Sequence, residues 1–256
     1  MLALEVVPPV RRLREWDYGR RRFPRWPGAC MGVYADFDEA RRAAPGRTGY
    51  DHPEMASMYD HLIGRLGADD YPVLFWLQRV LRPGSSVFDL GGHVGITYYS
   101  YAAYLDLPQD LRWAVCDVPA VIERGAALAR ERSAAQLRFT SRVDEAAECD
   151  VLLAAGSLQY LETDLADCIG TLPARPRHLL VSKTPMLDGL QFVTLQNTHH
   201  AYNPYRLLDR RAFVDGLSRL GYRLIDSWEN PGYSCAIPYH PECAVDRYTG
   251  LYLRLT

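Results

Sequence analysis

Val87-Phe88-Asp89-Leu90-Gly91-Gly92-His93-Val94-Gly95 reads as a β-strand, a tight glycine turn and the start of a helix that continues through Ile96-Thr97-Tyr98-Tyr99. Glycines there let the backbone come close to a ligand, and the first helical turn offers N–H groups without intrahelical partners. A second apolar run, 111–116, ends in Asp117. An acid at the tip of the neighbouring strand is placed to accept two hydrogen bonds from a ribose diol. Together these features imply a nucleoside-bearing ligand at the carboxyl edge of a parallel sheet.

A dinucleotide site would show G-x-G-x-x-G, making room for a pyrophosphate. The spacing here is Asp89-x-Gly91-Gly92-x-x-Gly95. A carboxylate two residues before the first glycine repels a pyrophosphate and suits a cation. S-adenosylmethionine carries an ammonium and a sulfonium and no phosphate. At these residues the chain resembles the class I S-adenosylmethionine-dependent methyltransferases, whose first motif is D/E-x-G-x-G-x-G. It departs from them at His93, which stands where the motif has its middle glycine. His93 is therefore expected near the methionine end of the cofactor.

The composition suits one soluble enzyme. A chain of 256 residues, 48% of them hydrophobic, has enough apolar material for a sizeable core. A net charge of −2 gives no electrostatic reason to expect nucleic acid or an anionic membrane as partner. The six cysteines form no C-x-x-C pair and no metal-ligand spacing, so no metal is expected. No apolar run reaches membrane length and no secretory segment is evident, which makes a reduced, cytoplasmic setting the default. A small-molecule substrate is the expected partner, and association into a homodimer is left open.

Residues 1–84 read as an extension and helical cap, and residues 85–256 as the catalytic domain. The front is rich in arginine, proline and aromatics, and the expectation is packing through Trp16, Tyr18, Phe23 and Trp26. Short helices are expected at 37–44, from Pro53 onward (Met55, Met58, Tyr59, Leu62) and at 71–81. From Ser85 on, strands at 86–90, 111–116, 137–140, 150–154 and 178–182 alternate with helices at 94–105, 120–132, 164–171 and 210–220. Such alternation argues an α/β fold, a doubly wound Rossmann-like parallel sheet. Segments 224–228 and 248–255 would close it as an antiparallel hairpin, with 229–247 reaching over the site.

Several loops carry candidate chemistry. Gly156-Ser157-Leu158-Gln159-Tyr160 follows the fourth strand, where strand ends face the ligand crevice, so Gln159 and Tyr160 are site candidates. Lys183, the only lysine, ends the fifth strand and could meet a carboxylate. Leu195-Gln196-Asn197-Thr198-His199-His200-Ala201-Tyr202-Asn203-Pro204-Tyr205 is read as a substrate loop with Asn197 as its polar contact, since two adjacent histidines cannot easily share a metal. In the late insertion, Tyr233 and Tyr239 are candidates to face the cofactor.

The resemblance extends further. Phe88-Asp89-Leu90-Gly91-Gly92-His93-Val94-Gly95, Val118-Pro119-Ala120-Val121, Ser157-Leu158-Gln159-Tyr160, Leu195-Gln196-Asn197, Gly221-Tyr222 and Tyr248-x-Gly250-Leu251-Tyr252 are similar to a bacterial methyltransferase-like family that includes the azetidine-2-carboxylate synthases of natural-product clusters. The resemblance implies S-adenosylmethionine as sole substrate, its amino-acid arm closed into a four-membered ring with release of 5′-methylthioadenosine. Cofactor contacts are expected at Asp89, Gly91, Gly92, His93, Gly95, Asp117, Val118 and Ser157, and, from their places in loops at the carboxyl edge, catalytic roles for Asn197, Gln159, Tyr160 and Tyr233. The alternatives are methyl transfer to an O or N atom of a small molecule, releasing S-adenosylhomocysteine, and a non-catalytic cofactor-binding protein.

Overall fold

Residues 87–90, 113–116, 151–154 and 179–181 are buried without interruption, as strands covered on both faces must be. In the computed structural model, which describes residues 8–58 and 60–256, the order is α1 (Pro8–Arg21), β1 (Cys30–Tyr34), α2 (Phe37–Ala43), α3 (Pro53–Ser57), α4 (Tyr71–Val80), β2 (Ser86–Leu90), α5 (Ile96–Tyr101), β3 (Arg112–Cys116), α6 (Pro119–Glu131) and β4 (Leu137–Thr140). It continues through β5 (Val151–Ala155), α7 (Leu165–Gly170), β6 (His178–Thr184), β7 (Met186–Leu187), β8 (Phe192–Asn197), β9 (Tyr202–Asp209), α8 (Arg210–Arg219), β10 (Tyr222–Asn230) and β11 (Tyr248–Leu255). Tyr59, expected in the second front helix, lies outside the described residues.

Seven strands form the main sheet in the order β10-β11-β6-β5-β2-β3-β4. Only β11 runs against its neighbours β6 and β10, giving the expected antiparallel closure. One face packs on α7 and α8 through Leu165, Ile169, Phe213 and Leu217. The other packs on α4 and α5 through Leu74, Leu77, Tyr98 and Tyr101. The strand order reverses between β2 and β5, and a crevice opens at such a switch point beyond the carboxyl ends. The loops after β2 and β5 both face that point, where the Ser157 hydroxyl donates to the Leu90 carbonyl. Among the described residues, no helix is long and apolar enough to cross a membrane.

A second sheet, in the order β1-β8-β9-β7, was not anticipated. Residues 195–205, read from the sequence as a substrate loop, form most of the antiparallel hairpin β8–β9 instead. Val193 and Leu195 pack against Tyr18, Phe23 and Phe37. Phe192, Tyr205 and Leu207 pack on the other side against Cys235, Ile237 and Val245 of the insertion. Most of 229–247 therefore covers this sheet, and only its first turn reaches the main crevice. A boundary at residue 84 does not separate the sheet, since β1 lies before it and β8 after. In the front segment Tyr18 and Phe23 are buried as expected, whereas Trp16 and Trp26 stay exposed.

Asn197 ends β8, and its side chain is buried. Its Nδ2 donates to the Phe23 carbonyl at 2.8 Å, and its Oδ1 accepts from the His199 N–H at 2.9 Å. Both polar ends are committed to holding the front segment on the hairpin, which corrects the assignment of Asn197 as a substrate contact. Replacing Asn197 by Ala leaves a buried carbonyl without its donor, a loss of about 1–3 kcal/mol. Urea unfolding should show a lower midpoint for Asn197→Ala; an unchanged midpoint contradicts the structural role.

Candidate functional site

The glycine loop after β2 is shaped by positive φ angles at Gly91 (72°), His93 (54°) and Gly95 (90°). A Cβ at Gly91 would lie 2.3 Å from the Ser157 Cβ, and one at Gly92 would lie 2.4 Å from the Asp89 Cγ. The sequence reading assigned that space to a ligand. The protein's own packing already demands glycine at both positions. His93 does tolerate the left-handed region, at a cost of roughly 1–2 kcal/mol, because three parts of the fold hold it there.

Those parts are the strand tip, the loop and the cap. The His93 N–H donates to the Asp117 Oδ2 at 2.9 Å, and the Val118 N–H donates to its Oδ1 at 2.8 Å. The His93 Nε2 donates to the Met55 carbonyl of α3 at 3.0 Å. The imidazole that replaces a glycine thus joins the loop to the cap. Asp51 reinforces the junction by accepting from the Ala120 N–H at the start of α6, and Asp60 pairs with Arg124. A carboxylate has about four lone-pair positions, so Asp117 keeps capacity for further donors.

Asp89 is 1% exposed and accepts from the Trp113 Nε1 at 3.2 Å. Burial pushes its carboxyl up to about 7, and the Asp117 charge adds to the rise. Burial also raises Asp117, against the lowering effect of the Val118 hydrogen bond. A buried carboxylate, Asp89, and a half-buried one, Asp117, frame the loop, and Asp89 has no ion pair among the described residues. A nearby cation would favour the charged form of Asp89.

Across the crevice, Gln159 is 4% exposed. Its Nε2 donates to the Gly156 carbonyl at 2.8 Å, while its Oε1 is buried without a partner among the described residues. The Tyr160 hydroxyl donates to the Gln196 Oε1 at 2.6 Å, and its ring lies edge-on to Tyr50 and Tyr205. Tyr160 thereby ties the loop after β5 to the second sheet. The Tyr205 and Tyr248 hydroxyls bond at 2.6 Å, and Tyr248 stacks on Tyr233. Tyr239 packs edge-on against Tyr18, on the second sheet.

Lys183 has a φ of 54° at the end of β6 and sits with its Nζ 5.6 Å from the Tyr233 ring centre. The Nζ pairs with the Asp70 Oδ1 at 2.7 Å. Tyr101 donates to the same oxygen at 2.9 Å, and the Gly67 N–H donates to the Asp70 Oδ2. Asn230 accepts from the Lys183 N–H at 2.8 Å. Sequence reasoning missed Asp69, Asp70, Tyr101 and Asn230. The available signal was the lone lysine, which needs a carboxylate when buried, and an Asp69-Asp70 pair directly before an apolar helix.

Asp89→Asn tests the electrostatics. An acid whose folded pKa is raised to about 7 from 3.8 destabilises the fold progressively as pH rises from about 4 to about 7. Asparagine removes that penalty, on the order of a few kcal/mol, and keeps an acceptor for Trp113. The variant should melt at a higher temperature than the parent at pH 8, with the difference shrinking toward pH 5. A difference independent of pH contradicts the buried charge.

No protein-family model matches the sequence, and no curated protein matches it either. Solved structures do match. A 1,6-didemethyltoxoflavin-N1-methyltransferase of Burkholderia thailandensis, with its bound substrate and S-adenosylhomocysteine, is 22% identical at a TM-score of 0.50, over 74% of this chain and 79% of that one. An inferred methyltransferase of Haloferax volcanii in complex with the Trm112 methyltransferase activator is 12% identical at 0.55, over 81% and 97%. An inferred S-adenosylmethionine-dependent methyltransferase of Listeria monocytogenes is 11% identical at 0.53, over 74% and 97%. At these identities the likeness establishes architecture: the chain has the Rossmann-like methyltransferase fold.

Proposed function

We propose that this chain is an S-adenosylmethionine-dependent small-molecule enzyme that closes the cofactor's own amino-acid arm into azetidine-2-carboxylate. The observation that carries the reading is the glycine loop held between the buried Asp89 carboxylate, bonded to Trp113, and the half-buried Asp117 carboxylate, bonded to the His93 N–H. They suit a cationic nucleoside and oppose a phosphate-bearing one. In this reading the Asp117 carboxylate takes the ribose diol, with Val118 beside it. S-adenosylhomocysteine bound to the Burkholderia neighbour supports the same ligand class on this fold.

Cyclisation rather than intermolecular methyl transfer is favoured by the groups at the ends of β5 and β6. Methyl transfer to a hydroxyl usually needs a nearby general base. Residues 156–160 and 183–185 contain no histidine, and Lys183 is held as an ammonium by Asp70. Ring closure needs only the neutral amine of the ligand itself. The amine nitrogen attacks the γ-carbon, the carbon–sulfur bond breaks, and its electron pair neutralises the sulfonium to the thioether of methylthioadenosine. The α-ammonium loses one proton to solvent before the attack, and the ring nitrogen keeps its two hydrogens as an azetidinium. The four-ring transition state is strained, so the arm must be held in near-attack geometry in a dry site. The cap on the loop and the buried Tyr205–Tyr248 pair, with Tyr233 stacked at its exposed rim, are the walls this reading uses.

Incubation of the purified protein with S-adenosylmethionine alone should yield methylthioadenosine and azetidine-2-carboxylate in equal amounts above the uncatalysed background, read by mass spectrometry. S-adenosylhomocysteine formed only when an acceptor is added overturns cyclisation in favour of methyl transfer. Binding without any turnover overturns the enzymatic reading.

A further inference from the structure

Cys30 and Cys235 meet although they stand 205 positions apart: the Cys235 Sγ–H donates to the Cys30 Sγ at 3.5 Å. Both side chains are buried. Cys30 lies in β1 opposite Gln196 of β8, and its carbonyl accepts from the Tyr18 hydroxyl. Cys235 exchanges two backbone hydrogen bonds with Val245, each of 2.8 Å, across the insertion. Two anchored stretches of chain therefore hold their thiols against each other. A disulfide brings its sulfurs to about 2.05 Å, so the pair needs an approach of roughly 1.5 Å, within reach of rotation about the Cα–Cβ bonds. All six cysteines are free thiols, and among the described residues no other two share a hydrogen bond. The proposed reaction uses neither of the pair.

We propose that Cys30 and Cys235 are a two-electron oxidation site, whose disulfide ties the insertion 229–247 to β1. The oxidant is a small disulfide of the glutathione type. One cysteine thiolate attacks it and releases one thiol; the other then attacks the mixed disulfide and releases the second. The two cysteines lose two electrons and two protons, and both end on the released thiols. The hydrogen bond between the sulfurs, together with burial, raises the Cys30 thiol well above its ordinary pKa, so exchange begins only when the insertion lifts. In the reduced chain the insertion is held here by packing of Cys235, Ile237 and Val245 on Phe192, Tyr205 and Leu207. The disulfide adds a covalent tie in the same buried cluster as the Tyr205–Tyr248 pair. It closes a loop spanning residues 30–235, and a long loop is the kind whose closure restricts the unfolded chain most.

The full chain, either native or refolded from urea, is equilibrated with excess glutathione disulfide or with a reducing thiol, alkylated, and mapped by tandem mass spectrometry. One disulfide joining residues 30 and 235 is expected, formed readily on refolding, more slowly in the native protein, and reversed by the reducing thiol. The oxidised parent should melt about 5 °C or more above the reduced one, as expected for a long cross-linked loop. Cys30→Ser should lose both the bond and the gap in melting temperature, whereas Cys243→Ser should keep both. If Cys30→Ser folds poorly, Cys235→Ser gives the same reading from the other side. Thiols at 30 and 235 that remain open to alkylation even after refolding with glutathione disulfide overturn the proposal. So does a bond from either one to another cysteine, a glutathione adduct that goes no further, or an oxidised parent that melts no higher than the reduced one.

Discussion

Everything at the carboxyl edge depends on the grip of Asp117 on the backbone of His93. That hydrogen bond connects the tip of β3 to the loop after β2 and fixes the loop in a left-handed turn that a non-glycine residue would otherwise avoid. The His93 ring, so oriented, reaches the Met55 carbonyl and anchors the cap. One residue therefore couples the strand end, the glycine loop and α3. The motif's usual glycine could form the loop but could not reach the cap. The gain is a site whose roof is bonded to its floor.

The electrostatic consequence is a floor that resists being charged. Asp89 sits against Trp113 with no cation of its own, and its raised pKa measures the cost of ionising it there. The single lysine serves the opposite wall, paired with an acid 113 residues earlier in the chain. One side of the crevice thus holds Asp89 and Asp117, and the other holds one ammonium paired with Asp70.

The main sheet was legible in the sequence because each strand announces itself locally. Apolar runs of strand length marked β2 through β6, with glycine or an acid directly after β2, β3 and β5, and the β10–β11 closure followed from two late runs. The glycine loop and Asp117 were legible for the same reason. The second sheet was not, because β1 pairs with β8 across a long separation and the hairpin carries amides and histidines that look like a binding loop. Asn197 illustrates the ambiguity: an asparagine that satisfies a distant backbone carbonyl has the same sequence signature as one that contacts a ligand. The Lys183–Asp70 pair was hidden likewise, since neither residue carries a local sign of its partner. Helix α5 begins later than its apolar pattern suggests, at Ile96, because Gly95 takes a left-handed conformation.

The central claim is that Asp117 presents its remaining lone pairs to a ribose diol while holding His93. The most direct measurement compares calorimetric affinities of S-adenosylmethionine and its 2′-deoxy analogue for the parent and for Asp117→Ala. The parent should bind the deoxy analogue roughly tenfold or more weakly, since a half-buried charged acceptor loses its donor. Asp117→Ala should bind both ligands weakly and alike. Equal affinities of the two ligands for the parent would contradict the claim.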